Sequence, residues 1–126
     1  MIFDTDVIIW FMRGKPEAAQ VVASSPKESR FISIITYMEL IQGIRDKAEL
    51  KILKKMLPQA ALTVLPLSEH IGNLASDLMD NYKLSAGLEV QDALIAATAV
   101  AHQDTLYTGN VKHFKGLGVD IKIFSV

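Results

Sequence analysis

Met1-Ile2-Phe3-Asp4-Thr5-Asp6 is the stretch on which the architecture turns. Three apolar residues run into an acid, a threonine and a second acid. A consecutive apolar run this short, cut off by polar groups, reads as a buried strand. The chain then alternates. Asp6 to Met12 predicts a short helix or turn, stopped by Gly14 and Pro16. Glu17 to Ser24 predicts a helix ended by Ser25-Pro26. Phe31 to Ile35, β-branched and aromatic, predicts the second strand.

Further out, Tyr37, Leu40, Ile41 and Ile44 fall at i, i+3, i+4 and i+7 and predict a helix over Thr36–Ile44. Asp46 to Leu57 reads as a charged helix closed by Pro58, and Leu62 to Leu65 as the third strand, ended by Pro66. Ser68 caps a helix expected to run to about Tyr82, and Gly87 breaks the chain. Val90 to Gln103 is an apolar helix, Thr105 to Thr108 the fourth strand, Gly109-Asn110 a turn, and Ile121 to Phe124 the fifth strand. Strands alternating with helices predict one α/β domain over residues 1–126, with a central parallel sheet of four to five strands covered by helices on both faces.

The 126 residues suffice for one domain with a real core, and half of them are hydrophobic. A net charge of −1 argues against binding polyanions by bulk charge. With no cysteine, disulfides and thiolate metal sites are excluded. The remaining metal ligands are carboxylates and three histidines, which favours hard cations. No apolar run approaches the ~20 residues that span a bilayer, and the start has no basic, cleavable leader, so a cytoplasmic protein without membrane contact is expected.

In parallel α/β sheets, ligands bind outside the carboxyl ends of the strands. Asp4 and Asp6 follow strand one, Glu39 lies in the helix after strand two, Asp92 opens the helix before strand four, and Asn110 follows that strand. Gathered at one rim, such acids repel each other unless a cation is present. Each residue also has a plainer reading. Asp4 can start a turn and Asp6 can cap a helix. Thr36-Tyr37-Met38-Glu39 matches a capping box, with Glu39 reaching back to its own helix start. Asp92 can simply favour a helix N-terminus, although the run Ala93 to Ala101 is apolar nearly all round and therefore expected to be buried. Asn110 is also a common turn residue.

Arg13 and Lys15, close after Asp4, are the better candidates for contact with RNA phosphates. Lys47, Lys51, Lys54 and Lys55 form a helical stripe that also reads as a solvated face. Trp10-Phe11 fits either the core or a groove for a partner. His70, His102 and His113 show no metal-ligand spacing.

These residues resemble the PIN-domain family, and within it the VapC toxins. Ile2-Phe3-Asp4-Thr5-Asp6-Val7-Ile8-Ile9 resembles the first motif, and Ile32 to Leu40, with Glu39, the second. Asp92-Ala93-Leu94-Ile95-Ala96-Ala97-Thr98-Ala99 resembles the third, and Thr108-Gly109-Asn110-Val111-Lys112-His113-Phe114 the fourth. The four occur in the family's order and span nearly the whole chain. The resemblance implies an endoribonuclease dependent on Mg²⁺ or Mn²⁺, with Asp4, Glu39 and Asp92 as its acids. Asp6 is a further ligand, and Thr5, Ser33, Thr36 and Asn110 are supporting hydrogen-bonders. It also implies a homodimer and a VapB-like antitoxin. One departure stands out: where many members carry a further Asp in the fourth motif, this chain has Asn110 and His113.

Two rivals share part of the pattern. Asp4-Thr5-Asp6 fits the start of a haloacid-dehalogenase-like phosphatase, but a late paired-acid motif is missing. A non-catalytic receiver-like module needs an Asp after strand three and a Lys after strand five, where Leu65-Pro66 and Phe124-Ser125 stand.

Overall fold

A computed structural model describes residues 1–126. Five short strands form one parallel sheet in the order β3-β2-β1-β4-β5. They are β1 (Ile2–Phe3), β2 (Phe31–Ser33), β3 (Thr63–Leu65), β4 (Leu106–Thr108) and β5 (Ile121–Ile123). Seven helices connect them: α1 (Thr5–Met12), α2 (Pro16–Ser24), α3 (Ile34–Gln42), α4 (Lys47–Gln59), α5 (Glu69–Ala86), α6 (Val90–Ala101) and α7 (Val111–Phe114). The expected α/β fold is the one observed.

The opening residues explain why β1 is central. Successive strand side chains point to opposite faces. Ile2 joins the core under α5 and α6 with Ile71, Ala96 and Leu106, whereas Phe3 joins the other core with Val7, Ile32 and Leu53. Both are fully buried, so β1 has no solvent face. Register extends the alternation sideways. Ile2 pairs with Phe31 on one side and Leu106 on the other, and Phe3 pairs with Tyr107. The expectation for α6 holds as well: Ala93 and Ile95 through Ala99 are buried.

Several boundaries differ from the sequence reading. The second strand stops at Ser33, because the Ser33 hydroxyl accepts from the Ile35 N–H and starts α3 there, two residues before the expected helix. Pro58 lies inside the last turn of α4 instead of closing it. Proline has no N–H for the carbonyl four residues back, and the helix closes just beyond it, where the Ala60 N–H donates to Met56 O at 2.9 Å. α5 continues to Ala86, where Gly87 at φ 64° ends it in the left-handed conformation. α6 ends at Ala101, short of Gln103. α7 was not anticipated, being one turn long and too short for periodicity to register.

Candidate active site

The carboxyl ends of β1 and β4 lie side by side, with the chain running from β1 outward in both directions across the sheet. This is a topological switch point, the place where such sheets bind ligands. Asp4 follows β1 directly, its N–H donating to Tyr107 O at 2.9 Å. Its side chain is only 4% exposed. One oxygen accepts from the Thr5 N–H at 2.8 Å, and the other from the Thr108 hydroxyl at 2.7 Å. Thr108 Oγ1 in turn accepts from the Asn110 N–H at 2.9 Å. Burial raises the Asp4 carboxyl from 3.8 to about 6, with Asp6 and Asp92 adding repulsion and the hydrogen bonds from Thr108 and Thr5 opposing the rise.

Thr5 reaches the second acid. Its hydroxyl donates to Glu39 Oε1 at 2.7 Å and lies 3.1 Å from Thr36 Oγ1. The capping-box reading of Glu39 fails for a local reason. Ser33 starts the helix, so Thr36 already lies inside it and Glu39 is free to face β1. Ser33 itself serves the helix, not the acids.

Asp92, in the first turn of α6, accepts no hydrogen bond, but His113 Nδ1 stands 3.3 Å from its Oδ2. Burial raises its carboxyl; His113 offsets this, while Glu39 and Glu89 push further up. Asp92 thus adds to the rise at Asp4, and Glu39 to the rise at Asp92.

Asp6 behaves differently. Oδ1 accepts from the Val7 N–H at 2.9 Å, and Oδ2 from the Gly109 N–H at 2.9 Å. It ties α1 to the loop after β4. A methyl group on Gly109 would stand 2.7 Å from Asp6 Oδ2 and 3.1 Å from Phe124 O, so only glycine fits there. Burial raises the Asp6 carboxyl, against the pull of those two N–H groups. The Asn110 side chain is exposed and makes no hydrogen bond; its backbone does the work at Thr108.

Arg13 and Lys15 do not reach the acids through ion pairs. Both sit over the Trp10 ring, 5.3 and 5.4 Å from its centre. Arg13 also lines a cavity of about 280 Å³ with Ile9, Met12, Glu39, Ile44 and Ile52. Asp92 lines a second, of about 260 Å³, with Lys112, His113 and Lys115. The most spacious hollow, about 590 Å³ beside Glu17, Gln20, Tyr107 and Lys122, contains none of the rim acids. The sequence marks His113 as standing where many family members carry an Asp, but not its pairing with Asp92, an acid 21 positions earlier in sequence and 3.3 Å away in space.

No three of the acids and histidines are grouped as a ready-made metal cage. The donor chemistry nevertheless suits a hard divalent ion. Buried carboxylates raise one another, and Mg²⁺ needs only one or two of them, completing its shell with water.

Comparison with known proteins agrees with this layout. The PIN domain model matches residues 1–117. The chain belongs to the PIN-domain family. Among its relatives is Ribonuclease VapC1 of Rickettsia felis, 36% identical over 121 residues, covering 91% of this chain and 88% of that protein. Ribonuclease VapC19 of Mycobacterium tuberculosis is 32% identical over 116 residues, covering 90% of each chain. Among solved structures, a toxin–antitoxin complex from Klebsiella pneumoniae matches with a TM-score of 0.79 and 29% identity, covering 99% of this chain and 98% of that one.

Proposed function

We propose that this chain is a VapC-type toxin: a divalent-metal-dependent endoribonuclease, one domain, acting in the cytoplasm and silenced by a VapB-like antitoxin. The observation that supports the reading is the arrangement at the carboxyl rim of a PIN-family sheet: Asp4 buried after β1, Thr5 beside it donating to Glu39 at 2.7 Å, and Asp92 3.3 Å from His113. Relatives named as ribonucleases and a neighbour solved as a toxin–antitoxin complex support it.

Asp4 and Asp92 would hold Mg²⁺ or Mn²⁺. When bound, the ion supplies Lewis-acid polarisation of the phosphodiester and eases ionisation of water. Thr5 fixes Glu39 Oε1 and leaves Oε2 open to orient the attacking water and take its proton. The water oxygen bonds to phosphorus, the bond from phosphorus to the 3′-oxygen breaks, and the departing oxygen takes a proton from solvent. The products are a 5′-phosphate and a 3′-hydroxyl. Asp6 and the backbone of Asn110 hold the loop after β4 in place.

Purified protein should cut single-stranded RNA with Mn²⁺ or Mg²⁺ and stop in EDTA. Asp92→Asn should slow cleavage by at least about 100-fold without a loss of folded protein by circular dichroism. An unchanged rate in that variant would remove Asp92 from the mechanism, and hydrolysis of p-nitrophenyl phosphate with no RNA cleavage would replace this reading with the phosphatase. Two copies per particle are expected; light scattering measures this.

A further inference from the structure

The cavity beside Asp92 sets two lysines next to a rim acid. Its walls come from the α5–α6 connection (Gly87, Leu88, Glu89) and from α7 with the residues after it (Lys112, His113, Lys115, Leu117). Leu88 and Leu117 are buried and make an apolar floor. Two of its carboxylates already have neighbours: Glu89 lies 3.9 Å from Lys83, and Asp92 faces His113. Lys112 and Lys115 have no carboxylate within ion-pair distance. Two ammonium groups free of a direct ion pair therefore line, with Glu89 and Asp92, a hollow of about 260 Å³ beside the rim.

We propose that this hollow is a backbone-phosphate subsite, gripping the RNA strand one side of the bond to be cut through Lys112 and Lys115. The inference rests on the ribonuclease reading and extends it. An acid-lined rim repels a polyanion, so cations placed beside it must draw the strand in. Lysine suits the task as a point charge that asks for no particular base. The exposed stripe Lys47, Lys51, Lys54 and Lys55 lines neither this hollow nor the cavity at Glu39. Arg13 serves the Glu39 side, so the strand gains a cation on each flank.

The test is binding of a fluorescein-labelled single-stranded RNA of about 12 nucleotides, in EDTA to prevent cleavage, across a salt series. Lys112→Gln/Lys115→Gln should weaken binding about tenfold and make the slope of log affinity against log salt shallower by roughly 1.4, two contacts at ~0.7 each. Lys47→Gln/Lys51→Gln should change neither. With Mn²⁺, the Lys112→Gln/Lys115→Gln protein should show a raised KM and an unchanged kcat. An unchanged slope, or a parent that binds no RNA, would overturn the subsite. The ribonuclease reading is judged separately, by whether the parent cuts RNA with Mn²⁺.

Discussion

Asp4 stores an electrostatic cost. Raised from 3.8 to about 6, its carboxyl binds a proton more tightly in the folded protein than in the unfolded chain. Its contribution to stability is therefore complete below about pH 3.8 and is lost as pH rises through 6. The gap corresponds to about 3 kcal/mol at 1.36 kcal/mol per unit. Metal-free protein should accordingly melt at a higher temperature at pH 5 than at pH 7.5, and Mn²⁺ should raise the midpoint more at pH 7.5. Asp4→Asn should stabilise the metal-free protein at pH 7.5 by about 1–3 kcal/mol while abolishing cleavage, a pairing that calorimetry and an RNA assay on the same sample can refute. Thr5→Val leaves Glu39 without its donor and should lower activity about 10–100-fold with little change in melting temperature.

The elements place these side chains through their ends. β1 is followed at once by Asp4, and β2 and β4 end on Ser33 and Thr108, polar groups that start the next helix or close the site. Gly87 ends α5 at φ 64°, so Gly87→Ala should cost about 1–2 kcal/mol in denaturant unfolding, with no new contact to offset it. Gly109→Ala acts differently. It forces Asp6 or β5 to yield, and should cost about 1–3 kcal/mol and impair cleavage together. Much at this scale was legible beforehand. Apolar runs located all five strands, and Ser68 and Asp46 cap their helices as serine and aspartate do. What escaped was competition between two starts for one helix: Ser33 and Thr36 are both good caps, and only the end of β2 decides between them. The Asp6–Gly109 tie was equally invisible, because a backbone N–H carries no signature in sequence.

Across the whole molecule, the rim opens on two unlike hollows. Glu39 lines an apolar one with Ile9, Met12, Ile44 and Ile52, and Asp92 lines the charged one with Glu89, Lys112 and Lys115. Ile52 is 62% exposed and Met12 39%, so a partner covering the first hollow gains apolar burial there. Ile52→Asp should weaken capture of a VapB-like antitoxin at least tenfold in calorimetric titration while leaving RNA cleavage intact; equal loss of both would mean that the two hollows act as one surface. What flanks the acids was not legible in the sequence. Met12 and Ile52 are 40 positions apart, and Lys112 sits in a helix too short to predict.

The 2.7 Å bond between Asp4 and Thr108 joins residues 104 apart in sequence. β1 lies between β2 and β4, so Asp4 is translated long before the strand that supports it. Until that late segment leaves the ribosome and docks, Asp4 has neither its Thr108 donor nor its neighbouring strand. A chain broken off between the two thus carries Asp4 without the architecture that aims it.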